Sequence, residues 1–153
     1  MDRRELLNLG SMAAVAGVAA SLTESASAAI LELDGRASLL HIYTDESGTH
    51  AEELKIAKQV DPIPGAQMIV RGEGGATPAW HNTPAPQFAV AITGELEVEL
   101  EGGARRRIRT GDLVFLEDTK GKGHVTYQNG HVTNVFIRVP PNFDIRAWAR
   151  GKA

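Results

Sequence analysis

The sequence predicts an all-β domain, a sandwich or barrel, on two observations. From residue 39 onward, short runs rich in Val, Ile, Leu and Thr are broken about every 8–12 residues by Gly, Pro or Asn. Within that region Leu96, Val98 and Leu100 alternate with Glu95, Glu97, Glu99 and Glu101, which gives a strand one apolar and one acidic face.

Taken in order, the expected strands cover 39–44, 54–57 and 66–71, and then 87–92, 95–101 and 105–109. Three more cover 113–116, 123–127 and 132–139. Gly72, Gly74, Gly75, Pro78, Pro84 and Pro86 make the approach to Gln87 a loop-rich entry to the central strands. After Pro140-Pro141 the tail from Ile145 to Lys152 is expected to form one short helix. Charge registers one hairpin. A two-residue turn at Gly102-Gly103 would set Leu100 against Arg105 and Val98 against Arg107. A three-residue turn, Glu101-Gly102-Gly103, instead pairs Glu99 with Arg105, Glu97 with Arg107 and Leu96 with Ile108. The second register is preferred, because opposite charges across strands contribute about 0.2–1 kcal/mol each, whereas buried unpaired arginines are costly. It leaves Arg106 beside Val98 as its one awkward pair.

Composition narrows the function classes. The chain has 153 residues, a net charge of −3 and no cysteine, so disulfides, thiol nucleophiles and thiolate metal sites are excluded. The arginines at 105, 106, 107 and 109 form the one basic cluster, and the hairpin register spends them on glutamates. The basic stripe of a nucleic-acid binder is therefore not expected. The N-terminus carries Arg3-Arg4, a mild apolar run over residues 12–20 and a small-residue site, Ala26-Ser27-Ala28. That layout predicts an export signal over 1–28, cleavage before Ala29 and one domain over 29–153. The order Asp2-Arg3-Arg4-Glu5-Leu6-Leu7 resembles the twin-arginine signal, which addresses folded proteins to the periplasm or beyond in bacteria. The apolar run is shorter than the about 20 residues a span requires, so no stable membrane span is expected.

Two stretches, 80–95 and 111–124, resemble the two motifs of a small single-domain cupin, and the resemblance covers most of residues 66–139. Gly94 lies seven residues after Gln87, which puts Gln87 where the first motif has Glu, and His124 lies three residues after Gly121, as in the second motif. His81 matches one of the first motif's two histidines, with Thr83 at the position of the other. The resemblance implies a double-stranded β-helix, the jelly-roll barrel, with a metal in its mouth. It implies His81 and His124 as ligands of a divalent metal such as iron, manganese, zinc or nickel, with Gln87 as a further ligand or as a residue that binds and orients the substrate. Two imidazoles and a neutral amide give such an ion no charge compensation. Glu117 or Asp118, six or seven residues before His124, are the candidates for the missing carboxylate and for a general base.

Strand parity adds a cavity. With Gln87 inward, Ala89 and Ala91 point inward too, and small side chains on an inner barrel wall leave room. Phe88, Val90 and Ile92 then lie outward and need cover from another segment or a second subunit, and a homodimer is expected. Trp80, Tyr127 and Phe115 are candidates for the lining of an apolar pocket. His50 is a candidate to fold over the mouth, and His41 and His131 read as structural. Two functions follow from the sequence. One is an exported metal-dependent cupin enzyme acting on a small organic molecule as a dioxygenase, isomerase or lyase. The other is a metal-free module in which the barrel binds a small molecule and His124 with Glu117 supplies polar anchors.

Overall fold

A computed structural model of the chain describes residues 37–73 and 78–151. The expected export signal over 1–28, the mature start at Ala29, and Gly74 and Gly75 of the entry loop lie outside the described residues. The chain forms the expected all-β fold with one short C-terminal helix. Its strands are β1 (Ser38–Asp45), β2 (Gly48–Lys55), β3 (Gln67–Glu73), β4 (Gln87–Leu100), β5 (Arg105–Ile108), β6 (Leu113–Glu117) and β7 (His124–Arg138), followed by helix α1 (Ile145–Arg150).

Two pairs of expected strands are single long ones. The runs 87–92 and 95–101 join as β4, and 123–127 and 132–139 join as β7. Gly94 reads as a break in the sequence, yet in the fold it is the hinge of an irregularity in the β4–β7 ladder, whose register shifts between Ala91 and Glu95. Its φ of 77° suits glycine, and a Cβ there would lie 2.7 Å from the carbonyl oxygen of His131. Such a bulge bends both strands without ending them.

Seven strands form one sheet in the order β2-β1-β6-β4-β7-β3, with β5 paired to β4 alone. The register of the β4–β5 hairpin is the one charge selects. Leu96 opposes Ile108, Glu97 opposes Arg107, Val98 opposes Arg106 and Glu99 opposes Arg105. The barrel expected from the resemblance is not closed by the described strands, because its two ends, β2 and β3, do not pair. The connection between those ends carries Pro62 and Pro64, which have no N–H to offer a ladder.

The sheet has an apolar cluster on each face. Inside, Ile42 of β1, Val114 and Leu116 of β6, Val98 and Leu100 of β4 and Ile108 of β5 pack together, so the sheet folds over itself. Outside, Phe88, Phe115, Leu39 and Val139 pack under Ile145 of α1, with Phe143 and Trp148 against them. Helix α1 is anchored by its Asp144 cap, whose side chain accepts from the Ala147 N–H at 2.8 Å. The Trp148 indole N–H donates to the carbonyl of Asp61 at 2.8 Å. Phe88 is thus covered by the chain's own tail. Ile92 remains 46% exposed, as do Met68 at 72% and Val70 at 59% on edge strand β3. Met68 stands in one row with Ile137 and Phe88, and Val70 with Val135 and Val90, so these side chains share the outer face.

Candidate functional site

The inward face of β6 leads to the site. Val114 and Leu116 point into the inner cluster, and the same alternation carries Asp118, just past the strand end, inward to full burial. His124 opens β7, is 3% exposed, and presents Nδ1 to Asp118 Oδ2 at 2.5 Å. A carboxylate on Nδ1 fixes the neutral tautomer with its proton on that nitrogen and leaves Nε2 as the ring's spare acceptor. Nε2 has no hydrogen bond among the described residues. Oδ1 of Asp118 is buried without a partner. Asn82 holds the approach to this turn by donating to the backbone carbonyls of Asp118 at 3.1 Å and Lys120 at 2.9 Å.

His81 reaches His124 through backbone. The two residues exchange N–H···O bonds of 2.9 Å each, and their ring centroids lie 4.5 Å apart. This approach depends on Gly123, whose φ is 74° and whose hypothetical Cβ would sit 2.0 Å from the His81 carbonyl oxygen. The His81 ring itself is exposed and bonds through Nδ1 to the carbonyl of Ala79 at 2.9 Å.

The donors implied by the cupin resemblance do not assemble a metal centre. Gln87 is 5% exposed and spends its amide N–H on Thr83 Oγ1 at 3.0 Å, and Thr83 donates to the carbonyl of Ala85 at 3.2 Å. The two residues that stand where the motif has a second His and a Glu therefore satisfy each other. Among the described residues, no three His, Cys, Asp or Glu side chains converge on one point. The carboxylate that approaches His124 holds its Nδ1, so Asp118 orients the ring and does not join Nε2 as a second donor to an ion. The residues present do not fit a divalent metal in the barrel mouth.

Other expected site residues point elsewhere. Glu117, one step from Asp118, faces outward by strand parity and accepts from His41 Nε2 at 2.8 Å. Tyr127 opposes Glu97 on the outer face of the sheet, donates to Glu99 at 2.9 Å, and has the Arg105 guanidinium 4.8 Å over its ring. The hydrogen bond to Glu99, reinforced by burial and by the negative charges nearby, pushes its phenol above the ordinary range. Trp80 is 38% exposed, with the Lys122 ammonium 4.0 Å over its ring, and lines neither of the cavities described below. His50 bonds Asp45 and Ser47 in the β1–β2 turn, away from His124.

A cavity of about 70 Å³ lies inside the sheet. Ala89 and Ala91 line it, as parity requires, together with Leu116, His124, Thr126 and Asn134. Asn134 is a residue that strand reading passes over. It is 4% exposed, and its Oδ1 has no hydrogen-bond partner. The signal was available, because in 132–136 the inward positions are Val132, Asn134 and Phe136, and an amide stands where the alternation calls for an apolar side chain. The cavity thus has three polar residues, His124, Thr126 and Asn134, on otherwise apolar walls, and Asn134 Oδ1 has no protein partner among the described residues. Liquid water takes about 30 Å³ per molecule, so there is room for two waters or a ligand of a few heavy atoms.

No family model matches the chain. A 59-residue stretch, 37% of the chain, is 41% identical to oryzines biosynthesis cluster protein J of Aspergillus oryzae, and it spans 33% of that protein's length. Among solved structures, a protein of Neisseria meningitidis superposes with a TM-score of 0.42 and 20% identity, over 54% of this chain and 81% of that one. A mannose-6-phosphate isomerase candidate from Ralstonia eutropha gives 0.36 and 16%, over 67% and 83%. An ethanolamine utilization protein Q candidate from Salmonella typhimurium gives 0.36 and 16%, over 70% and 98%. These are distant likenesses. No helix among the described residues is long and apolar enough to cross a membrane.

Proposed function

We propose that the chain is a small cupin-like binding protein that holds a small polar organic molecule in the inner cavity without a metal. The observation that carries this reading is a buried amide oxygen without a protein partner among the described residues, Asn134 Oδ1, in a cavity that His124 also lines with Nε2 left over from its bond to Asp118. Buried polar atoms are almost always hydrogen-bonded, so a molecule with a donor for each would complete the site. Asp118 holds the ring through Nδ1, which leaves Nε2 to accept a hydrogen bond from the bound molecule. The partial likeness to a protein of a biosynthetic cluster agrees with a small-molecule ligand.

Nuclear magnetic resonance with acetamide, ethanol and acetic acid as probes tests the reading. At least one is expected to shift the His124 ring and Asn134 amide signals, and Asn134→Leu is expected to remove that shift. Silence from all three, or a stoichiometric transition metal by elemental analysis of protein from its native host, would overturn it.

Two further parts of the reading concern placement. Residues 1–28 would direct export of the folded chain, and export of an Arg3→Lys, Arg4→Lys variant at the normal level would refute the twin-arginine form. A second copy would cover Met68, Val70 and Ile92 beside the open edge of β3. A Val70→Arg variant should then be monomeric where the parent is a dimer by light scattering.

A further inference from the structure

A second cavity, of about 310 Å³, is lined by residues of β1, β2, β5 and β6 and by Asp112 just before β6. Its floor is apolar, formed by Leu40, Ala51, Ile108 and Val114. Its rim is charged, and the charges divide into spent and unspent groups. Arg107 is paired with Glu95, and Glu52 with His41 and Arg146. Arg106 is different. The hairpin register sets it opposite Val98, on the inward face, where β4 offers it no carboxylate. Its one bond among the described residues runs from NH1 to the carbonyl of Arg105 at 3.0 Å, which leaves most of the five guanidinium donors unused. Two carboxylates on the same rim each keep an oxygen in reserve. Glu53 accepts from Ser38 through Oε1, and Asp112 accepts from the Arg109 N–H through Oδ2.

A cation with spare donors, two carboxylates with spare acceptors and an apolar floor complement one kind of small molecule. That molecule carries both charges and an aliphatic body. The volume lies at the lower end of small-molecule sites, about 300–1,000 Å³. We propose that this cleft binds a free aliphatic amino acid. Its carboxylate lies on Arg106, its ammonium between Glu53 and Asp112, and its side chain on Leu40, Ala51, Ile108 and Val114. The lining excludes simpler ligands by charge. A fatty acid leaves Glu53 and Asp112 facing its apolar chain and carboxylate, and an alkylamine leaves Arg106 unmatched. The cleft shares Ile108 and Val114 with the inner cavity but does not reach His124, so the proposal stands apart from the function proposed above.

Calorimetric titration of the full chain with norleucine, hexanoate and hexylamine is the test. Norleucine should bind tightest, and affinity should rise by up to about fourfold per methylene from alanine through norvaline to norleucine. Arg106→Gln should weaken norleucine and hexanoate by about tenfold or more and leave hexylamine unchanged, because a charge-assisted bond is lost only where a carboxylate is present. Glu53→Gln should weaken norleucine and hexylamine and spare hexanoate. Both residues are exposed, so these variants are expected to fold. Norleucine should leave the His124 ring and Asn134 amide signals of the parent chain unchanged. The proposal fails if norleucine does not bind, if hexanoate or hexylamine binds as tightly, if Arg106→Gln has no effect, or if norleucine shifts the His124 and Asn134 signals and so lies in the inner cavity.

Discussion

His41 and His124 are both buried strand histidines held by carboxylates, and they differ in what they have left to offer. His41 lies on the outer face of β1, 0% exposed, with Nδ1 on Glu52 at 2.9 Å and Nε2 on Glu117 at 2.8 Å. Arg146 of α1 also binds Glu52, so the imidazole is one link in a chain that ties the helix to β2, β1 and β6. His124 gives only Nδ1 to a carboxylate and turns its ring toward a cavity. Burial and a carboxylate partner therefore do not mark a functional histidine. Under the proposed function the mark is a ring nitrogen left without a protein partner.

The largest effect should come from breaking the His124 pair. Its partner Asp118 is fully buried, so His124→Ala strands a carboxyl group without solvent or its hydrogen-bond donor, at a cost of about 3 kcal/mol in chemical denaturation. Replacing both Asp118 and His124 by apolar residues should recover much of that stability, because no buried charge remains, while ligand signals at Asn134 stay lost. If the double replacement is no more stable than His124→Ala, the pair is not the isolated buried dyad described.

His41 should give a smaller loss. Its two carboxylate partners are about a third exposed, at 34% and 35%, and regain water when the ring is removed. His41→Leu should cost about 1–3 kcal/mol, mostly in packing and hydrogen bonds, and should leave acetamide, ethanol and acetic acid signals at Asn134 unchanged. A loss of those signals would erase the distinction between the two histidines. The same clamp predicts a pH effect. Burial alone would raise the Glu52 pKa, but hydrogen bonds from His41 and Arg146, with their charges, outweigh it and hold the carboxyl below its ordinary value. A depressed pKa adds stability that is complete above the ordinary value, about 4.3, and is lost as the pH falls through the lower folded value. The parent should therefore lose stability faster than Glu52→Gln on acidification below that point.

How much of this was legible depends on whether the signal is local. The hairpin register was, because Glu95 to Glu101 and the arginines declare their partners within a dozen residues. The choice between Glu117 and Asp118 was also present in outline, since extending the alternation of 113–116 sends Phe115 and Glu117 outward and Leu116 and Asp118 inward. The merging of strands at Gly94 and Gly130 was not legible, because a glycine that ends a strand and one that bends it look alike until the partner strand is known. The Thr83–Gln87 bond was hidden for a different reason. A motif position filled by another residue says that the usual chemistry is absent, and only the fold shows that the two replacements bond to each other.

The smallest effect belongs to the outer charged ladder, which lies at the far extreme from the buried pairs. Arg105 bridges Glu97 at 2.7 Å and Glu99 at 2.8 Å and is 52% exposed, so solvent screens both contacts. Arg105→Ala should cost little stability, and less still in 1 M salt, where the screening length shrinks to about 3 Å. The sharper readout is Tyr127. Its phenol already titrates high because of Glu99, and Arg105 is the group that pulls it back. Removing the guanidinium should raise the Tyr127 titration further. A downward shift would mean that the Glu99 bond depends on Arg105 to hold the carboxylate still, and that the exposed ladder is coupled in the way the buried dyad is.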